Sequence, residues 1–108
     1  MAKYRDGLDA VAQALAHRGR RSIISRLAEE AATSTDLSRL LGVGLPALQK
    51  HLDLLRRASM IASVKAGRTV THTLRPTSLD PLDDWILTRK LFWQNQFDAL
   101  ADHLEDHR

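Results

Sequence analysis

Between Leu37 and Ile61 the chain reads LSRLLGVGLPALQKHLDLLRRASMI. Apolar residues recur at helical spacing on both sides of Gly42-Val43-Gly44-Leu45-Pro46, so two short helices must meet at a tight turn. Thr33, with Asp36 three residues later, resembles a capping box in which Asp replaces the usual Glu or Gln. It would start the first helix through Leu37, Leu40 and Leu41, and Gly42 would end it. Pro46 falls in the first turn of the second, where a missing N–H costs nothing. That helix runs to about Arg57 and buries Leu48, Leu52 and Leu55. Two helices that only packed together would need a turn and two apolar faces. This pair also carries Gln49, Lys50, His51, Arg56 and Arg57, some of which must point away from any core.

The flanks complete the architecture. Leu8, Val11, Ala12 and Leu15 share one face of a first helix, from about Tyr4 to Ala16, with Gly19 in HRGR as its expected break. RRSIISRLAEEA then gives a second helix with Ile23, Ile24, Leu27 and Ala31 inward. Beyond Met60 the period changes to two. In IASVKAGRTVTHTLRP, Val70, His72 and Leu74 alternate with Thr69, Thr71 and Thr73, and Ala66-Gly67 between two such arms reads as a β-hairpin. From Leu79 the helical period returns, and residues 79–107 form one long helix whose stripe includes Trp85, Ile86, Phe92, Trp93 and Phe97. The prediction is one domain, 1–108, mostly α with a small β-hairpin, in the order α-α-α-α-β-β-α. Short helix, tight turn, helix and hairpin make the order of a winged helix-turn-helix.

Composition narrows the function. Hydrophobic residues at 44% and charged ones at 27% are ordinary for a globular chain, and no run approaches the roughly 20 apolar residues of a membrane span. MAKYRDG lacks the apolar segment of a signal peptide, so a cytoplasmic protein with no membrane partner is expected. The absence of cysteine excludes disulfides, thiolate metal sites and thiol redox sensing. No nucleophile–base pairing, phosphate-cradling glycine loop or HExxH motif is present, so catalysis is not expected. The net charge of +3 is unevenly spread: residues 1–75 hold 13 Lys and Arg against 6 Asp and Glu, whereas residues 76–108 hold 3 against 7. A basic body with an acidic tail suits a polyanion.

That polyanion is expected to be double-stranded DNA. The turn would lift the N-terminal end of the second helix of the pair into a major groove, while the hairpin reaches the flanking minor groove or backbone. Gly44, Leu45, Pro46, Gln49, Lys50 and His51 then form the reading end, and Lys65 and Arg68 the wing. Gln49 can pair bidentately with adenine. Lys50 and His51 suit phosphates, although His51 serves equally well in a polar pocket. Leu45 either meets a thymine methyl or staples the start of its helix. A wing-tip arginine fits a narrow minor groove. Arg56 and Arg57 stabilise the C-terminal dipole of their helix, whereas Arg20 and Arg21 open a helix, where dipole grounds alone disfavour cations. The stripe through Trp85, Trp93 and Phe97 is too broad for a small body to cover, so a partner helix is needed.

LAHRGRRSIISRLAEE, TSTDLSRLLGVGLPALQKHLDLLRRASMI and KAGRTVTHTLRP, in this order and spacing, resemble the ArsR family of small dimeric winged-helix repressors over nearly the whole chain. The closing DDWILTRKLFWQNQFDALADHLED looks like the aromatic-rich last helix of a subgroup that binds no metal. The resemblance implies a homodimer through first and last helices, placing Leu8, Val11, Leu15, Trp85, Trp93, Phe97, Leu100 and Leu104 at the interface. It also implies sequence-specific repression from a pseudo-palindromic operator. Gly44 and Leu45 depart from the family, which usually has hydrogen-bonding side chains there, and Gln49 stands where it usually has Ser. The family's metal sites require an Asp-x-His near the start of the last helix, or cysteines. Asp83 and Asp84 are followed by Trp85 and Ile86, and a frayed polar end accounts for His103, Asp106 and His107, so neither metal nor cofactor is expected. No residue pattern names a small-molecule effector. Two other readings compete with a repressor: a winged-helix protein–protein module and a non-specific architectural DNA binder.

Overall fold

The computed structural model describes residues 2–106, with side chains from 7 to 105. The elements run α1 (Ala2–Leu15), α2 (Arg18–Glu29), β1 (Ala32–Thr33), α3 (Ser34–Leu41), α4 (Leu45–Arg57), β2 (Ile61–Ala66), β3 (Thr69–Leu74) and α5 (Asp80–Asp106). One strand is additional to the sequence reading. Ala32 and Thr33 pair antiparallel with His72 and Thr71, so the hairpin belongs to a three-stranded sheet of order β1-β3-β2.

Each junction has a local cause. His17, not Gly19, separates α1 from α2: its extended backbone precedes the helix and its Nδ1 accepts from the Gly19 N–H at 2.9 Å. Gly19 thus lies inside the first turn of α2. The unfavourably placed Arg20 and Arg21 reach back to the carbonyls that end α1. Arg20 donates from Nε to Ala14 at 2.7 Å and from Nη2 to Gln13 at 3.1 Å, and Arg21 donates from Nη1 to Leu15 at 2.7 Å. A helix C-terminus favours cations and needs donors, which offsets the dipole cost of their position in α2.

The capping box of α3 is complete. Thr33 Oγ1 accepts from the Asp36 N–H at 3.1 Å, and Asp36 Oδ2 accepts from the Thr33 N–H at 3.0 Å. Caps of this type contribute about 0.5–2 kcal/mol. The Thr33 N–H and hydroxyl hold the Asp36 carboxyl below its usual range. Gly42 closes α3 at φ +65°, a left-handed geometry that glycine adopts without a Cβ clash, and Ser38 pins the turn by donating its hydroxyl to the Val43 carbonyl. At the end of α4, Ser59 takes φ +58° and Met60 N–H bonds the Leu55 carbonyl at 3.0 Å. This turn drives Met60 and Ile61 into the core and aims the wing.

Val11, Ile23, Leu37, Leu48, Leu52 and Met60 are at most 1% exposed and centre one hydrophobic cluster. Val11 therefore cannot serve a dimer interface: it faces its own core, because α1 spends its inward stripe on α2 and α4. Leu15 is partly buried against the same cluster, and Leu8 is half-buried. α5 differs from every other helix. Among the described side chains, Leu82 in its first turn packs against the core and Pro81 sits beside Gly7, and side chains 83–105 are all exposed. The arm stretches the molecule to 71 × 29 × 21 Å.

Candidate nucleic-acid interface

α4 turns one side inward and leaves the rest of its N-terminal half bare. Leu48, Leu52 and Leu55 are fully buried, whereas Leu45, Pro46, Gln49 and Lys50 are exposed. Gln49 projects about 100° around the helix from Leu48, so it cannot join the core. Gly44 caps α4 with extended backbone and no side-chain bond, leaving the first N–H groups open to an anion. The departure from a hydrogen-bonding cap thus exposes backbone donors.

The wing closes the other side. β2 and β3 pair from Ile61↔Leu74 to Ala66↔Thr69, so the loop is Gly67-Arg68, one residue later than the sequence suggested. Gly67 has φ +63° at the first loop position, where a type II′ turn takes glycine. Lys65 and Arg68 are exposed near the tip. Between wing and α4 lies a cleft of about 340 Å³ lined by Ser34, Thr35, Leu45, Gln49, Arg68 and Thr69, among others. It unites three of the expected contact residues, Leu45, Gln49 and Arg68. The sequence reading missed Ser34, Thr35 and Thr69. Its one available signal was the Thr33–Asp36 box, which fixes where α3 begins and hence which hydroxyls sit at its N-terminal end.

His51 sits elsewhere. Its ring lies 4.6 Å from that of His17, centroid to centroid, and Nδ1 meets Arg20 Nη1 at 3.2 Å. Of the two roles open to it, the structure gives it the polar pocket at the α1–α2 junction. Burial, then His17 and Arg20, pushes its pKa down from the ordinary value. Arg56 also looks inward, donating to Ser63 Oγ at 3.2 Å and pairing with Asp53. A short helix, a left-handed glycine turn, an exposed helix end and a flanking wing form a surface built to sit on a duplex.

The family described as "Helix-turn-helix domain" matches residues 15–64, from the end of α1 into β2. The HTH-type transcriptional regulator Rv2034 of Mycobacterium tuberculosis is 38% identical over 82 residues, 76% of each chain. The transcriptional repressor SdpR of Bacillus subtilis is 25% identical over 80 residues, 74% of this chain and 89% of that one. The crystal structure of the ArsR family transcriptional regulator RHA00566 superposes with a TM-score of 0.80 at 29% identity, covering 87% of this chain and 97% of the other. The protein is a winged helix-turn-helix transcriptional regulator that binds DNA, not an enzyme. It belongs to the ArsR family.

Among the described residues no group of three or more His, Asp or Glu side chains could hold a metal ion, and His107 lies outside them. With no cysteine in the chain and no Asp-x-His at the start of the last helix, zinc, cobalt or nickel should leave the affinity for DNA within about twofold, measured by fluorescence anisotropy with and without chelator. A coupling above about 1 kcal/mol that vanished in His103→Ala/His107→Ala would reveal a metal site at the end of α5. Among the described residues no helix is long and apolar enough to cross a membrane.

Proposed function

We propose that the protein is a homodimeric, sequence-specific repressor, acting in the cytoplasm, that grips a pseudo-palindromic operator. The carrying observation is the cleft in which Gln49 of α4 faces Arg68 of the wing, beside the N-terminal end of α3. A base-reading side chain and a backbone-seeking cation on one concave surface suit a duplex better than a protein partner. Trp85, Trp93, Phe97, Leu100 and Leu104 are 42–71% exposed on α5. Their burial against the same helix of a second copy, and against its α1 near Leu8, supports a two-fold dimer. Two copies of α4 would then meet half-sites about 34–36 Å apart. No cofactor is part of this reading.

Titrating genomic and random duplexes at two salt concentrations tests it. A specific regulator separates the two duplexes, an architectural binder shows salt dependence without preference, and an interaction module binds neither. Within a specific site the two sides of the cleft should differ. Gln49→Ala should relax preference at one base pair per half-site, by about 1–3 kcal/mol, while random DNA binds almost as before. Arg68→Ala should weaken both duplexes and lower the salt slope by about one per contact. Lys50 and Lys65 should behave like Arg68. The opposite pattern would exchange reader and clamp.

A further inference from the structure

Beneath the wing, His72 is fully buried in the middle of β3, opposite Ser63 of β2 and Ala32 of β1. Both of its ring nitrogens are engaged: Nε2 meets Ser34 Oγ at 2.8 Å and Nδ1 meets Ser63 Oγ at 2.7 Å. Arg56 Nη1 donates to the same Ser63 oxygen at 3.2 Å. The guanidinium can only donate, so the Ser63 oxygen accepts from it, and in one tautomer the Ser63 hydroxyl gives its own proton to Nδ1. Nε2 then carries the ring proton and donates to Ser34. In that tautomer the bonds run in one direction, from Arg56 through Ser63 and His72 to Ser34, around a neutral imidazole. Ser34 also lines the cleft with Gln49 and Arg68. One ring thus ties α4, both long strands and the start of α3 to the surface that meets DNA.

We infer that His72 is a positioning residue for DNA binding: through Ser63 and Ser34 it docks the wing on α3 and α4, and protonation of its ring undocks them. The inference rests on the cleft being the DNA-binding surface. A second ring proton would put a cation in a fully buried site, with the Arg56 guanidinium on the same Ser63 oxygen that Nδ1 meets. The groups facing the ring give the cation no counter-charge: Ser34 from α3, Ser63 from β2, apolar Ala32 from β1 and Arg56 from α4, whose neighbour Asp53 pairs with Arg56 itself. On α2, which also packs against β3, Arg26 pairs with Glu30 at 3.6 Å.

Burial, and then Arg56, lowers the His72 pKa from its ordinary value. The undocked or unfolded chain therefore takes up the proton first. The docked form keeps its full advantage above the ordinary histidine value of about 6.5, and loses it as pH falls from there through the lower folded value.

The test follows operator affinity of the full chain from about pH 7.5 to 5.5, with ring-proton NMR of His72 over the same range. Wild type should lose at least about fivefold, with the midpoint of the loss matching the titration of the His72 ring. His72→Leu, with no hydrogen bonds to give, should bind weakly throughout. His72→Gln can accept from Ser63 and donate to Ser34 without titrating, so it should recover part of that affinity and show no acid loss. Wild type and Gln variant sharing one pH profile would overturn the inference. So would a ring midpoint that differs from the affinity midpoint in the wild-type protein, a measurement that needs no variant to fold. Absence of any DNA binding at pH 7.5 would instead reject the reading of the cleft.

Discussion

Trp93→Ser/Phe97→Ser should convert the proposed dimer to a monomer, and operator affinity should fall with it. The two rings are 71% and 59% exposed on an arm whose described side chains are exposed from residue 83 onward. Burying one such side chain contributes about 1.5–3 kcal/mol, so four rings across a two-fold axis supply roughly 6–12 kcal/mol. That is comparable with the roughly 4–15 kcal/mol that association itself costs, and its loss leaves no margin for a dimer. Two half-sites then bind independently, and affinity for the full operator drops by about 10²–10⁴. Sedimentation velocity reports the mass and anisotropy the affinity. Because both positions point into solvent within the protomer, far-UV circular dichroism should keep its helical signal. An unchanged sedimenting mass rejects the interface.

Leu52→Ala should be among the most damaging single changes within the helix pair. Leu52 is fully buried midway along α4 in the hydrophobic cluster centred on Ile23, Leu37 and Met60. Leucine truncation in such a site costs about 2–5 kcal/mol, a large part of the roughly 5–15 kcal/mol by which domains are stable. Urea unfolding should show the midpoint falling by a corresponding fraction. Lys50→Ala, two residues earlier on the exposed side, should change stability by no more than about 0.5 kcal/mol. Equal losses at both positions would mean that α4 is not held by this face.

Helical period and cap chemistry carried most of the fold. Leu48, Leu52 and Leu55 mark the inward side of α4 at 3.6-residue spacing, and Thr33 with Asp36 identifies a box that forms as written. β1 escaped because two residues have no period to read; its partners His72 and Thr71 lie far along the chain. Gly19 misled because glycine often breaks helices. The operative signal was the His17 ring, which bonds the glycine's own N–H. Val11 shows a further limit: periodicity finds the apolar side of α1 but does not say whether its own core or another chain covers it. Arg20 and Arg21 looked misplaced against the dipole of α2 because their partners are carbonyls of the preceding helix. At the cleft, Gln49 and Arg68 followed from turn and hairpin position. Ser34 joined them only through three-dimensional folding, since its link to His72 spans 38 residues.

The Arg20 side chain has a consequence for operator geometry. It grips the last carbonyls of α1 with Nε and Nη2 while Nη1 meets His51 on α4. In the proposed dimer α1 faces the symmetry mate, and α4 holds Gln49 against the bases. One guanidinium thus locks the part that sets subunit separation to the part that reads sequence, and the two cannot slide independently. One added base pair between half-sites would displace the second reading helix by about 3.4 Å and swing it about a tenth of a turn around the duplex axis. With α1 and α4 joined by this side chain, the adjustment would fall on the α5 arms or on the DNA. The proposed dimer would in this respect act as a ruler, discriminating operators of altered spacing as well as operators of altered sequence.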